Sequence, residues 1–216
     1  MGDERKRYHH GDLRRGILEA ALALLAERGV HALSVREAAQ RAGVSPAAPY
    51  RHFPTKEALL AAIAAHGFDA LAAALVTADQ QHPGSLRDKL KAGARAYMGF
   101  AKEHPERFHV MYGGFFADAS CHPDLLDACH RAEGALLAIF RAGHQELAPA
   151  EPDELLVATH AFLHGLGNLY LEGHLAHRLP VDEDAWLDRL VDLLWLGIGA
   201  TGSKPTSKAA RTALDA

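Results

Sequence analysis

Residues 34–60, SVREAAQRAGVSPAAPYRHFPTKEALL, leave the backbone few arrangements. Ser34 with Glu37 three residues on forms an S-x-x-E capping box, the start of a helix. Val35, Ala38, Ala39 and Ala42 follow as one small or apolar stripe at helical spacing. Gly43 then ends the helix, because a left-handed backbone costs glycine least. Val44 reads as a buried hinge. Ser45-Pro46 reads as N-cap and N1 proline of a second short helix over 45–51. A connection of about three residues forces the two helices to cross sharply rather than lie antiparallel. This is helix-turn-helix geometry, whose second helix enters the major groove of DNA. Pro54 and Thr55 start a further helix immediately behind it.

With the helix before it, the stretch over 11–63 resembles the tetracycline-repressor-like (TetR-type) transcriptional regulators. The resemblance is carried by the G-V-S turn, the Y-R-H-F ending and the K-E-A-L-L that follows, with Tyr50, His52, Phe53, Lys56 and Glu57 in register. It covers about a quarter of the chain and implies an all-α protein with a DNA-binding head and a larger effector-binding, dimerising body. HGLGNLYLEG, 164–173, is similar to a subgroup with a Trp-x-x-x-His-Gly signature, although His160 stands where that subgroup has Trp. Pro49 departs from the aliphatic residue of many relatives. Proline inside a helix costs ~3 kcal/mol. Here residue i−4 is Ser45, the cap itself, so the cost is smaller and the short helix is expected to start tight or 3₁₀-like.

Contacts to DNA are assigned from size, charge and resemblance. Ser45, Ala47 and Ala48 are small enough to approach thymine methyls or base edges. Ala47-Ala48-Pro49 leaves few long side chains for base reading, and Arg51 and His52 are the longer ones. The resemblance implies phosphate contacts from Tyr50, His52 and Lys56, the last at a helix N-terminus that itself favours phosphate. Arg36, near the start of its helix, is a further candidate backbone clamp, and Arg5, Lys6 and Arg7 are candidates for a minor groove. Tyr50 has a second reading, as aromatic bulk beside Phe53 in the small core.

The net charge of −4 speaks against nucleic acid until it is divided. Residues 1–66 hold 10 Lys and Arg against 7 Asp and Glu, and residues 67–216 hold 13 against 20. Phosphate neutralisation is local, so the basic first part can bind DNA while the acidic remainder avoids it. The expected organisation is a basic arm over 1–11, a DNA-binding domain over 12–66, an effector-binding and dimerisation domain over 67–200, and a disordered tail over 201–216. No apolar run is expected to reach the length of a membrane span, the charged start is not a secretory signal, and Cys121 and Cys129 are expected as reduced thiols, which together point to the cytoplasm. No nucleophile elbow, Walker loop or Rossmann glycine pattern is present, so neither an enzyme nor a resident cofactor is expected.

About nine helices are expected. The first runs over 12–28 with Asp12 as cap and Gly29 as stop, and the fourth from Thr55 to about Thr77. The loop QQHPGS over 80–85 leads to a helix over 86–103, capped by Ser85 with Asp88. His104-Pro105 breaks that helix, a short one follows, and the last three cover 123–147, 153–175 and 182–199. Aromatic residues interleaved with glycines mark the body, and the resemblance favours a pocket there for a small apolar or aromatic effector. Its candidate lining is Phe100, Phe108, Met111, Tyr112, Phe116, Phe140, Phe162 and His164. The eighth and ninth helices carry apolar faces (Leu166, Leu169, Leu175; Trp186, Leu190, Leu193, Leu194, Leu196, Ile198) suited to a C₂ homodimer through a four-helix bundle. The expected mechanism is repression of a palindromic operator, relieved when effector binding shifts the spacing of two DNA-reading heads. The rival reading is a metal or redox sensor built on Cys121, His122, Cys129 and His130, or on His160 and His164 at i, i+4.

Overall fold

The computed structural model describes residues 10–116, 118–143 and 151–200. Arg5, Lys6 and Arg7 and the 201–216 tail lie outside the described residues. The described residues are all-helical. In chain order they form α1 (His10–Arg28), α2 (Val35–Arg41), a 3₁₀ segment (Ala48–Arg51), α3 (Lys56–Gln81), α4 (Leu86–Glu103), α5 (Pro105–Tyr112), a second 3₁₀ segment (Ala119–Cys121), α6 (Pro123–Ala142), α7 (Pro152–Leu171) and α8 (Glu183–Ala200). The expected nine helices are therefore eight α-helices and the 3₁₀ segment at the expected DNA-reading position.

Local chemistry sets the boundaries. α1 begins at His10, so Asp12 lies inside its first turn rather than at its cap. The Gly29 N–H donates to the Leu25 carbonyl at 2.8 Å and closes the helix. Thr55 Oγ1 accepts from the Ala58 N–H at 3.0 Å and starts α3. Ser85 and Asp88 cap each other at α4: the Asp88 N–H donates to Ser85 Oγ at 3.3 Å, and Asp88 Oδ2 accepts from the Ser85 N–H at 3.2 Å. α3 runs four residues beyond Thr77, and the loop shortens accordingly. Asp182 starts α8 by accepting from the Ala185 N–H at 2.9 Å.

The chain divides into two compact units: Met1–Ala73 with Phe100–Ala132, and Ala74–Gly99 with Glu133–Ala216. The first has a core of Ile17, Leu25, Leu33, Phe53, Leu59, Ile63, Phe108 and Val110, each at most 2% exposed. The second buries Leu86, Leu90, Phe140, Leu155, Leu163, Leu187 and Val191. α3 corrects one expectation. By length and hydropathy (1.9 over its most apolar window) it matches a membrane span, yet 61% of that window is buried inside the protein. Alanine-rich and apolar all round, it is a core helix.

Candidate nucleic-acid interface

α1, α2, the 3₁₀ segment and the start of α3 build the head within the first unit. α1 packs on α2, on the 3₁₀ segment and on α5, and α2 packs on the 3₁₀ segment. Ser34 caps α2 as expected: its Oγ accepts from the Glu37 N–H at 3.2 Å. Its hydroxyl also donates to the Glu37 carboxylate at 2.8 Å, so the return bond of the box falls on the hydroxyl rather than on the Ser34 N–H. At the far end Gly43 has φ +70°. The Val44 N–H reaches the Ala39 carbonyl and the Gly43 N–H the Gln40 carbonyl, each at 3.1 Å. This pair of bonds is a Schellman ending, and it fixes the direction in which the chain leaves α2. Val44 itself is half-buried rather than buried.

The expected second helix over 45–51 is replaced by a turn and then the 3₁₀ segment. Pro49 is the cause. It has no N–H to give the Ser45 carbonyl an α-helical bond, so the Ala48 N–H takes that carbonyl at 3.0 Å in a tighter turn. Ser45 is thus held through its carbonyl, and the residue preceding the segment is Ala47. The Pro49 ring is buried, and the carbonyl of Pro49 accepts from both His52 and Phe53 N–H groups, at 2.9 and 2.8 Å.

The expected contact residues come from α2, the turn, the 3₁₀ segment and the start of α3. Arg36, Ser45, Ala47, Tyr50, Arg51 and Lys56 are exposed, while His52 is half-buried. Tyr50 at 49% exposure against Phe53 at 1% separates its two readings: Phe53 fills the core and the phenol of Tyr50 stands in solvent. Arg36 and Arg51 have no carboxylate partner among the described residues, so their charge remains available. Lys56 carries an interaction the linear sequence does not signal. Its Nζ donates to the Val30 carbonyl at 2.8 Å and lies 3.4 Å from the His31 carbonyl. An ammonium has three N–H donors, so two reach carbonyls of the α1–α2 connection and the third has no partner among the described residues.

Three further contacts shape the head and are invisible to local spacing. Both guanidinium ends of Arg41 meet Glu27 at 2.6 Å, tying α2 to α1. Hydrogen bonding from Arg41 holds the Glu27 carboxyl below its ordinary range, and the Arg41 charge is paired. The Arg14 guanidinium stands 5.6 Å over the Phe53 ring and bonds Asp124 at 3.2 Å. His122 Nε2 lies 3.3 Å from Glu57 Oε1 in the first turns of α3. His52, Arg14, Phe53 and Cys121 share the walls of a cavity of about 210 Å³.

The candidate effector residues fall in both units. In the first, Phe100, Phe108 and Met111 are core, the Phe108 and Tyr112 rings are 4.9 Å apart, and Phe116 lies 5.9 Å from the His122 ring. In the second, Phe140 is fully buried. Phe162 lines a cavity of about 10 Å³ with Thr159, whose buried Oγ1 has no hydrogen-bond partner. His164 Nε2 lies 2.9 Å from Asn168 Nδ2. The His160 and His164 rings are 6.0 Å apart, and burial lowers the pKa of both. Among the described residues no three His, Cys, Asp or Glu side chains gather in an arrangement able to hold a metal ion. Cys121 is exposed and Cys129 half-buried, and neither forms a disulfide.

Comparison with known proteins agrees with this geometry. A family profile described as bacterial regulatory proteins, tetR family, matches residues 17–63, and one described as tetracyclin repressor-like, C-terminal domain, matches residues 90–194. The HTH-type transcriptional activator FasR of Mycolicibacterium smegmatis is 31% identical over 102 residues, 47% of this chain. The matched stretch spans about half of that relative's length, 46%. A solved structure of a protein with unknown function from Rhodococcus sp. RHA1 is 34% identical with a TM-score of 0.76, over 89% of this chain and 98% of that one. A bacterial regulatory protein in the tetR family from Rhodococcus RHA1 shares the fold, with a TM-score of 0.62 at 24% identity over 87% of this chain and 97% of that one.

Proposed function

The chain belongs to the tetR family of bacterial regulatory proteins, and from that premise we propose a homodimeric repressor that leaves a palindromic operator when a small apolar or aromatic effector binds. The observation that carries the DNA-binding part is the joint exposure of Arg36 on α2, Ser45 and Ala47 after the Schellman turn, and Tyr50 and Arg51 on the 3₁₀ segment. In this reading Ser45 and Ala47 approach base edges, while Arg36, Tyr50, Arg51, His52 and the spare donor of Lys56 hold phosphates.

The dimer surface in this reading is formed by α7 and α8. Val157, Ala161, Gly165 and Leu169 form an exposed stripe four residues apart along α7. Leu193 and Leu196 stand 65% and 66% exposed on α8. A Cβ at Gly165 meets nothing within 4 Å, so no contact inside the protomer explains the glycine, whereas close approach of a partner helix does. Leu166, expected on this face, packs inside the protomer at 8% exposure. The effector reading rests on the aromatic body. Because the cavity beside Thr159 and Phe162 has room for about one water, an effector enters the second unit by parting side chains, and that strain is what links it to the DNA-binding state.

Selection of bound duplexes from a random pool tests the DNA reading. The expected product is an inverted repeat with half-sites about one helical turn apart, and the absence of any enriched repeat defeats it. Release of the selected duplex by small apolar compounds then tests the effector reading. A second reading, activation of transcription, is favoured by the similarity to FasR, a transcriptional activator. Run-off transcription on the selected operator separates the two, since a repressor lowers and an activator raises the transcript.

A further inference from the structure

In the first unit a cavity of about 220 Å³ lies between the C-terminal half of α1 and the junction of α4 with α5. Leu22, Leu25 and Ala26 of α1 supply its apolar lining, and Arg107 of α5 lines it too. Arg107 is half-buried, and its Nε is sealed from solvent with no hydrogen-bond partner. No carboxylate among the described residues pairs with it, and burial alone lowers its pKa. Its stem is held in place by α3. A Cβ on Gly67 would come within 2.5 Å of Met111 Sδ and 3.2 Å of Arg107 Cδ, so glycine leaves room for the methionine and lets the arginine stem pack against α3. The charge is felt nearby: His66 and His104 are held below their ordinary pKa, first by burial and then by Arg107. A buried donor nitrogen left without a partner is destabilising, and that is the state of Arg107 Nε.

We propose that this cavity binds a small organic carboxylate, its anionic group on the Arg107 guanidinium and its alkyl or aryl part along Leu22, Leu25 and Ala26. Arg presents a planar fork that matches a carboxylate with two parallel bonds. Two carboxylates also line the cavity and set a limit on the ligand's charge. Glu103 is exposed and screened by water, and Glu106 Oε2 is turned to within 3.6 Å of where a Gly29 Cβ would stand, at the end of α1. The site is independent of the aromatic effector reading. It acts on α1, the helix that supports α2 and the 3₁₀ segment.

The test uses the full chain without DNA, with hexanoate as probe and hexanol and hexylammonium as controls. Binding is followed by calorimetry and by the imidazole resonances of His66 and His104. Hexanoate is expected to bind at least about tenfold more tightly than hexanol, the factor for one hydrogen-bonded charge. It should also raise both histidine titration midpoints, because the bound anion offsets Arg107. Arg107→Gln should remove the preference for hexanoate. Ala26→Trp, on the α1 surface, fills the cavity and leaves Arg107 in place, so loss of hexanoate there holds even if Arg107→Gln folds poorly. Equal affinity for hexanoate and hexanol, tighter binding of hexylammonium, unmoved histidines, or undiminished hexanoate binding by Ala26→Trp each overturns the proposal.

Discussion

Gly43 and Lys56 illustrate how much a single position decides. Gly43 has φ +70°, and a Cβ added there touches nothing within 4 Å. Any cost of a side chain is then purely conformational. Gly43→Ala is expected to lower unfolding free energy by about 1–2 kcal/mol, and Gly43→Asn by less, both read from urea midpoints at constant slope. Equal stability of Gly43→Ala and the parent would show that the turn re-forms without a left-handed residue. Lys56 serves two partners at once. Losing the bond to the Val30 carbonyl costs about 1 kcal/mol, and losing a phosphate contact flattens the logarithmic salt dependence of DNA binding by roughly one unit. Lys56→Ala should show both effects. A stability loss with an unchanged salt slope would confine Lys56 to its structural role. The glycine was legible from its place behind a small-residue stripe. The lysine's carbonyl partners were not, because only the tertiary fold brings the α1–α2 connection to the start of α3.

At the level of elements, caps and breakers read cleanly because their chemistry is local. Ser34, Thr55 and Ser85 with Asp88 start helices where their spacing says they must, and His104-Pro105 separates α4 from α5. The 3₁₀ segment follows from Pro49, and its tightness was foreseeable from the missing N–H. α7 carries a consequence for pH. His160 and His164 sit half-buried one turn apart, beside Tyr97 and Asn168, and burial lowers both pKa values. Between those lowered values and the unfolded value of about 6.5, the unfolded chain binds more protons. The contribution to stability is therefore complete above about pH 6.5 and is lost as pH falls through the lowered values. Thermal midpoints should drop between pH 7 and pH 5, and the double change His160→Gln, His164→Gln should flatten that dependence. A parent and double variant with parallel pH profiles would refute the assignment.

For the whole molecule, the proposed dimer makes the sharpest prediction. Leu193 and Leu196 expose most of their surface, and a partner that covers them contributes roughly 25 cal/mol per Å² of apolar area buried. The parent chain should scatter light as a dimer at micromolar concentration, and Leu193→Glu with Leu196→Glu as a monomer with intact helical signal. Operator affinity should fall with it, since a half-site holds only one head. A monomeric parent would remove the proposed interface. What the sequence determined by itself was what neighbours along the chain govern: helical class, capping, the sharp turn at Gly43 and the family. Tertiary structure alone decided which partners distant residues find. It turned Tyr50 outward and Phe53 inward, spent Arg41 on Glu27, buried Leu166, and left Arg107 without an anion beside a cavity. The physical reason is the same in each case: burial and pairing depend on how helices pack against one another, and linear spacing carries no record of residues separated by tens of positions.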